Sequence, residues 1–275
     1  MKDIVMNLAG EKIEFGLNDR GLVYGDGVFE TLLVHAGEPV WWYEHWQRLL
    51  HGASVLKIPA PNEAIVCNAC HVLLENHADC VLKIILTRGS GGRGYKAPNN
   101  PEPKIIISVH PAPIKIHEPV TLRWCDTKLA RQPLLAGIKH LNRLEQVLAR
   151  NEWQDVNIFD GLMCDTENNV TCATSANIFV KIQGQWLSPV IDQCGIAGIA
   201  RAWVFKQWPN TQEAHLSRLE VEQAEAIFIC NAVRGILALK RLGDVEFPPD
   251  QDIGVLQNRL ALEQPAFAWG ESRGP

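Results

Sequence analysis

Apolar residues in the first half of the chain fall into short runs separated by glycine, proline and asparagine. Three runs are rich in β-branched and aliphatic residues and predict strands, at 28–34, 80–87 and 104–110. Two runs have the spacing of an amphipathic helix, at 43–56 and 62–78, the second with Asn62 as its N-cap. Residues 4–15 predict a hairpin that turns at Ala9-Gly10. The first half is therefore expected to lay helices against a sheet.

The second half begins after a proline-rich stretch, which carries Pro111, Pro113 and Pro119. This pattern predicts a linker, so the expected domains are 1–112 and 120–275, joined by 113–119. Strands are predicted at 121–125, 157–160, 177–182 and 226–231, and helices at 142–152, 199–207 and 250–263. The tail at 265–275 is expected to be loose.

Composition limits the class of protein without identifying it. The 275 residues are 47% hydrophobic and 21% charged, which is typical of a globular protein with a buried core. The net charge of -5 argues against nucleic acid and anionic membranes as partners, because both require a basic surface. The first ten residues do not form a secretory signal, and no apolar run reaches the length of a membrane span.

Eight cysteines are too few for a disulfide scaffold in a chain of this length. Most lie among apolar residues, so we expect reduced, buried thiols and a cytoplasmic protein. The group Cys67-x-x-Cys70-His71 has no second pair at the spacing of a zinc finger and falls inside a predicted helix. It is interpreted as core packing, and no metal is expected.

Residues 89–94 read Gly-Ser-Gly-Gly-Arg-Gly and match the dinucleotide-binding pattern literally. That pattern requires a helix to begin at the last glycine, but Pro98 and Pro101 follow closely. A flexible loop is the simplest interpretation. We favour a loop that folds over an active site and offers Arg93 and Tyr95 to a substrate.

Lys139 lies among apolar residues where a strand is expected to give way to a helix. Partial removal from water would lower the pKa of its amine and make it a nucleophile toward a carbonyl group. From this local pattern alone, an exposed lysine beside a loop is the preferred interpretation.

The segment around this lysine, Leu-Ala-Gly-Ile-Lys-His-Leu-Asn-Arg-Leu-Glu at 135–145, closely resembles the cofactor-lysine segment of the 4-amino-4-deoxychorismate lyases. Those enzymes belong to the fold-type IV pyridoxal-phosphate family, with D-amino-acid and branched-chain aminotransferases. The resemblance extends from 19–31, which begins Asp-Arg-Gly-Leu-Val-Tyr-Gly-Asp-Gly, to Ile-Cys-Asn at 229–231. Residues 87–95 are typical of the lyases rather than the aminotransferases.

The resemblance implies a binding site for pyridoxal 5'-phosphate. Lys139 would hold the cofactor as a Schiff base and act as the proton-transfer base. Arg48 would bind the phosphate, and its guanidinium fork suits a phosphate dianion. The remaining phosphate contacts would come from the backbone at a helix start and from a strand end: Gly198, Ile199, Ala200 and Asn231.

One position departs from the family pattern. The family has a glutamate five residues before the asparagine of its Asn-Leu/Ile-Phe segment, where it keeps the pyridine nitrogen protonated. Counting back from Asn177 reaches Cys172. A thiol donates and accepts hydrogen bonds weakly, and a thiolate could pair with the pyridinium only if its pKa were lowered. The change puts full catalytic power in doubt, but not necessarily cofactor binding.

The implied fold is α+β, a two-domain arrangement like D-amino-acid aminotransferase with the cofactor between the domains, and relatives are homodimers. The implied reaction converts 4-amino-4-deoxychorismate to p-aminobenzoate and pyruvate in folate biosynthesis. Two alternatives stay open. One is an aminotransferase of the same fold type, acting on a D-amino acid or a branched-chain amino acid. The other is an impaired cofactor-binding paralogue, because of Cys172.

Overall fold

The structure is a computed structural model that describes residues 3–268. The chain divides into two compact units, and the division does not follow the sequence strictly. The first unit runs to Pro113 and also contains Ile138–Asn142. The second contains Ile114–Gly137 and resumes at Arg143. No helix in the described part of the chain has the length and hydropathy needed to cross a bilayer.

The first unit is a five-stranded antiparallel sheet with helices. Its elements are β1 (Ile4–Asn7), α1 (Arg20–Tyr24), β2 (Gly27–His35), β3 (Glu38–Pro39), α2 (Trp42–Val55), α3 (Glu63–Leu74), β4 (Cys80–Thr87) and β5 (Lys104–Pro111). The strand order is β1-β5-β4-β2-β3. Alternate residues of the central strands, such as Leu32, Leu82 and Ile107, share a core with Leu49 of α2 and Val66 of α3.

The second unit is built on a mixed sheet. Its elements are β6 (Val120–Trp124), α4 (Leu144–Arg150), β7 (Asp160–Cys164), β8 (Asn169–Ala173), β9 (Asn177–Ile182), β10 (Gln185–Pro189), α5 (Ile199–Gln207), β11 (Gln212–Ala214), β12 (Leu216–Ser217), α6 (Arg218–Glu222), β13 (Ala226–Asn231), β14 (Gly235–Leu242), β15 (Val245–Glu246), α7 (Gln251–Glu263) and a 3-10 turn (Pro265–Phe267). The order is β11-β10-β9-β13-β14-β6-β7-β8-β12, with β15 paired to β14.

The segment Ile138–Asn142 joins the first unit because its backbone pairs with β2. The N–H of Phe29 donates to the carbonyl of Lys139 at 2.9 Å, and the N–H of Leu141 donates to the carbonyl of Gly27 at 3.0 Å. This differs from the expected boundary, which assigned all of 120–275 to the second domain. Backbone pairing between segments so far apart in sequence leaves no mark in the local pattern of residues.

Several predicted elements have different limits in the structure. Residues 157–159 are not part of a strand, because the side chain of Asp155 accepts the backbone N–H of Asn157 and holds a turn. The predicted hairpin is present in a shorter form: Met6 bridges Lys12, and the N–H of Ile13 donates to the carbonyl of Val5 at 3.0 Å, while β1 also pairs with β5 along its length. The predicted loose tail is wrong at 265–267, where Ala266 is buried in the 3-10 turn, and its residues 269–275 lie outside the described residues.

Gly89 and Gly92 provide a test of the backbone that follows β4. Gly89 has a φ of +84°, and an added Cβ would overlap the carbonyl oxygen of Glu102. Gly92 has open space around it and no positive φ. We expect Gly89→Ala to lower the free energy of unfolding by about 1–3 kcal/mol, and Gly92→Ala to change it by less than about 0.5 kcal/mol. Denaturant unfolding checks this, and equal effects of the two changes would contradict it.

Candidate active site

Lys139 lies beside an aromatic ring of the first unit. Its Nζ is 4.3 Å from the centroid of the Phe29 ring, and its own carbonyl accepts the N–H of that residue. The preceding residue, Ile138, is buried. An ammonium group over a ring face is attracted by the ring's quadrupole, so the ring holds the amine in place on β2. A second lysine, Lys83 of β4, lies 5.4 Å from the same ring.

A buried charged cluster lies on the same strand, one residue further along. Glu30 is only 1% exposed. Arg48 donates to both oxygens of its carboxylate, from Nε at 2.8 Å and from Nη2 at 2.6 Å. His45 contributes Nδ1 at 2.6 Å from the same carboxylate. We call these three residues the Glu30 cluster. Its arginine therefore has a fixed orientation, as a two-point contact requires.

The charges in the Glu30 cluster follow from burial and from pairing. Burial alone would raise the pKa of Glu30, but the charge and hydrogen bonds of Arg48, together with the hydrogen bond of His45, lower it to about 2. Burial lowers the pKa of His45, and the positive charges of Arg48 and Lys139 lower it further against the opposing effect of Glu30. The cluster therefore holds one carboxylate, one guanidinium and one neutral imidazole.

The loop before α5 presents a helix start without a side-chain cap. Gly198 is the N-cap residue, in extended conformation, and no side chain accepts the first N–H groups of this nine-residue helix. An added Cβ at Gly198 would overlap the Oδ1 of Asn177, whose Nδ2 donates to the carbonyl of Ile196 at 2.9 Å. The helix start therefore offers the backbone N–H groups of Ile199 and Ala200 to an anion.

This loop is also tied to the stretch just before Lys139. The N–H of Gly137 donates to the carbonyl of Gly195 at 3.1 Å, and the N–H of Ala197 donates to the carbonyl of Gly137 at 3.0 Å. Gly137 has a φ of +84°, a conformation that favours glycine. The loop is therefore held by backbone contacts that do not depend on side-chain identity.

Asn231 lies at the end of β13 and shapes the turn that follows. Its Oδ1 accepts the N–H groups of Val233 and Arg234, at 2.9 Å and 2.7 Å. Its Nδ2 donates to the carbonyl of Ser175 at 3.2 Å. Its place beside the phosphate-binding groups stays a prediction.

Cys172 is buried in β8, in a small apolar cluster with Leu129, Ala149 and Met163. Burial raises the pKa of its thiol to about 12, and the nearby guanidinium of Arg143 does not offset this effect. The thiol is therefore neutral at physiological pH. A thiolate could pair with a pyridinium only if its pKa were lowered, and burial shifts the pKa of this thiol in the opposite direction.

The glycine-rich stretch at 89–94 is a loop, as predicted, and no helix follows it. It is anchored by Arg20, which donates to the carbonyl of Tyr95 at 2.8 Å and to that of Gly94 at 3.2 Å. The Nε of Arg20 is bound by Asp26 at 2.8 Å, and Arg88 donates to the same carboxylate. Arg93 and Tyr95 themselves are exposed. The loop is therefore tied down while its side chains remain accessible.

Sequence reasoning did not identify Glu30, His45 or Arg20. The signal for Glu30 was present: a strand that alternates Val28, Glu30 and Leu32 places a carboxylate on the buried face. A buried charge requires a partner, and Arg48, which the resemblance had already indicated, supplies it. No group of three or more His, Cys, Asp or Glu residues suited to a metal occurs in residues 3–268.

Each unit has groups that fit part of an aldehyde cofactor that carries a phosphate. In the first unit, a lysine amine is held at a ring face and an arginine is oriented by a buried carboxylate. In the second unit, a helix start has N–H groups without a side-chain cap. At Cys172 the chain offers a neutral thiol, which cannot hold a pyridinium proton by charge pairing.

Comparison with known proteins places the chain among enzymes of this kind. The model of the family "Amino-transferase class IV" matches residues 27–242. The aminodeoxychorismate lyase of Vibrio harveyi is 31% identical over 252 residues, which cover 89% of this chain and 93% of the relative. A putative branched-chain-amino-acid aminotransferase of Methanocaldococcus jannaschii is 30% identical over 252 residues, covering 88% and 87%.

A solved structure is similar over almost the full length. The crystal structure of 4-amino-4-deoxychorismate lyase from Pseudomonas aeruginosa superposes with a TM-score of 0.88 at 36% identity. The match covers 96% of this chain and 99% of the other.

The neutral thiol of Cys172 leads to a test by alkylation. At pH 8 we expect iodoacetamide to leave Cys172 unmodified in the folded protein during the time in which the half-buried Cys67 reacts. Only the thiolate is nucleophilic, and burial raises the pKa of Cys172 further than that of Cys67. Mass spectrometry of the labelled peptides checks this, and denatured protein provides the control in which both react. Equal rates at the two positions in folded protein would contradict it.

Proposed function

Because the chain belongs to the class IV aminotransferase family, we propose that it is a pyridoxal-phosphate enzyme that converts 4-amino-4-deoxychorismate to p-aminobenzoate and pyruvate. One observation carries the proposal. A sequence relative and a solved structure, each matched over about nine-tenths or more of this chain, both bear the name of that lyase. Folate biosynthesis is the process that this product serves.

Three groups of the chain would hold the cofactor. The amine of Lys139 suits the aldehyde, since it is already positioned on β2 beside Phe29. The guanidinium of Arg48 and the N–H groups at the start of α5, after Gly198, suit the phosphate. We include Ile199, Ala200 and Asn231 in this phosphate site.

When bound, pyridoxal phosphate supplies an electron sink next to the substrate's amine-bearing carbon. Lys139 would remove the proton from that carbon, the C4 position. Loss of the proton and of the enolpyruvyl group makes the ring aromatic, which strongly favours elimination. With the neutral thiol of Cys172 as the partner of its pyridine nitrogen, the cofactor would be a weaker electron sink than with a carboxylate partner. Elimination tolerates this, because the charge left by the proton departs with the enolpyruvyl oxygen.

The substrate is a dicarboxylate, and the loop after β4 offers a cation for it. Arg93 and Tyr95 are exposed on that loop. Arg20 holds the loop backbone through the carbonyl of Tyr95, and the Tyr95 ring lies 5.4 Å from that of Tyr24. We propose Arg93 and Tyr95 as the substrate contacts of this loop.

An aminotransferase is the second candidate, favoured by the 30% identity to the putative branched-chain-amino-acid aminotransferase. Supplying D-alanine or a branched-chain amino acid with a keto acid distinguishes it from the lyase, since only an aminotransferase would consume both. An impaired paralogue is distinguished by Cys172→Glu: a large gain in p-aminobenzoate formation would show that the natural chain is impaired.

We further propose a cytoplasmic homodimer. All eight cysteines are free, which fits a reducing compartment. Within the second unit, α4 exposes Leu144, Val147 and Leu148, which share one face of the helix. A cluster of large exposed apolar residues is typical of a protein interface, and a second copy of the chain is the expected partner.

Lys139→Ala should abolish p-aminobenzoate formation and the yellow absorbance of the bound cofactor, because no other amine would hold the aldehyde. The matched control is Lys83→Ala, since Lys83 lies near the same Phe29 ring. We expect the control to keep the yellow absorbance. Borohydride reduction followed by peptide mapping should place the cofactor on Lys139. A label on Lys83, or turnover in Lys139→Ala, would contradict the assignment.

The dimer can be tested at α4. Leu148→Asp should shift the protein from dimer to monomer, since it places a charge in an apolar interface. Light scattering coupled to size exclusion measures the mass. Val156→Asp is the control, because Val156 is also exposed but lies outside α4. A monomeric wild-type protein, or a Leu148→Asp variant that stays dimeric, would refute this interface.

A further inference from the structure

We propose that Glu30 is a positioning residue for the cofactor phosphate: its buried carboxylate holds one edge of the Arg48 guanidinium and so fixes the direction in which Arg48 meets the phosphate. This inference rests on the proposed function, because it takes pyridoxal phosphate as the ligand. It adds a residue that does not itself touch the ligand.

The first step of the argument is the geometry of the pair. Arg48 uses Nε and Nη2 on the two oxygens of Glu30, at 2.8 Å and 2.6 Å. A two-point contact removes the rotation that a single hydrogen bond would allow. An arginine on a flexible side chain would otherwise lose conformational entropy when it binds a phosphate. Because the carboxylate orders the Arg48 side chain when the protein folds, this entropy is not lost again when the phosphate binds.

The second step is the burial of the carboxylate. Glu30 is 1% exposed and lies on the face of β2 that packs in the core with α2. An ionised carboxylate is costly to bury unless it is paired. Its pKa of about 2 shows that the pairing outweighs the burial and that the charge persists at all physiological pH values. A charged residue at a buried position of a strand is costly, and this cost favours a functional role for Glu30.

The third step is the role of His45. Its Nδ1 lies 2.6 Å from the Oε2 of Glu30, and because its pKa is lowered the ring is neutral. A neutral ring facing a carboxylate donates its one N–H there, so Nε2 carries the lone pair. In the described residues Nε2 has no hydrogen-bond partner. The imidazole thus supports the carboxylate without competing with Arg48 for its charge.

The fourth step links the phosphate group to the aldehyde group. Glu30 follows Phe29 on β2, and Phe29 holds Lys139 through its ring and its N–H. Neighbouring residues of a strand direct their side chains to opposite faces. One rigid dipeptide therefore sets the positions of both the amine and the arginine. Pyridoxal phosphate carries its aldehyde and its phosphate-bearing methylene on adjacent ring carbons, so a fixed spacing of the two anchors favours its binding.

A purely structural ion pair is the simpler explanation, and the phosphate distinguishes the two. Pyridoxal has the same ring and aldehyde as pyridoxal phosphate but lacks the phosphate. A positioning role predicts that loss of Glu30 weakens binding of pyridoxal phosphate alone. A structural role predicts that both ligands are affected equally, or neither.

The test uses full-length protein stripped of cofactor and titrated with each ligand, with binding followed by absorbance. For Glu30→Gln we expect the dissociation constant of pyridoxal phosphate to rise about tenfold or more, because a hydrogen bond to a charged group is lost from the fork. That of pyridoxal should change less than about twofold. The amide keeps the shape of the side chain but turns an N–H group toward the Arg48 fork.

Two further variants keep the test decisive. Asp26→Asn is the matched control, because it weakens another carboxylate–arginine pair of the same unit, with Arg20 and Arg88. It should leave the ratio of the two dissociation constants unchanged. Glu30→Asp keeps the charge at a shorter reach, and it should recover part of the phosphate preference. It also replaces Glu30→Gln if that variant does not fold.

The outcomes separate this inference from the proposed function. If the wild type prefers pyridoxal phosphate over pyridoxal and Glu30→Gln keeps that preference, the positioning role is refuted while the cofactor assignment stands. If Arg48→Ala also keeps it, Arg48 is not the phosphate ligand and the inference fails with it. If the wild type binds neither compound at Lys139, the proposed function itself is refuted.

Discussion

The structure depends on a short stretch of backbone pairing between two segments that are distant in sequence. Hydrogen bonds between Phe29 and Lys139 and between Gly27 and Leu141 bring residues 138–142 into the first unit, although the chain on either side belongs to the second. Backbone hydrogen bonds of this kind are directional and do not use the side chain of Lys139. They fix its backbone against β2, next to the Phe29 ring that contacts its amine.

The same strand that receives Lys139 carries the charged cluster on its other face. Phe29 and Glu30 are consecutive, one beside the amine and one beside Arg48. Burial makes the contact between Glu30 and Arg48 stronger than it would be in water, because the surrounding dielectric is low. Side chains alternate between the two faces of a strand, and this alternation places the two groups expected to bind the cofactor of the class IV family, Lys139 and Arg48, beside consecutive residues of β2.

Much of this arrangement was predictable from the sequence, and the limits have physical causes. The aliphatic strands β4 and β13 and the helix α5 have clear patterns, and Lys139 lies in a segment long enough to be recognised. The strand predicted to begin at residue 157 does not form at 157–159, because the side chain of Asp155 accepts the backbone N–H of Asn157 that a strand would use. Glu30 was missed because a carboxylate is ordinarily expected at the surface, although its alternation with Val28 and Leu32 places it on the buried face. The return of residues 138–142 to the first unit depends on long-range pairing, which single-sequence patterns do not contain.

The way in which Arg20 holds the loop after β4 has a consequence for how this enzyme diversifies. Arg20 binds main-chain carbonyl groups of Gly94 and Tyr95, and it makes no demand on the side chains there. Mutations that exchange Arg93 or the Tyr95 ring would keep these main-chain contacts, although a change at Tyr95 would remove its ring contact with Tyr24. Evolution, or a designed library, can therefore vary the chemistry of this loop while the scaffold below it stays constant.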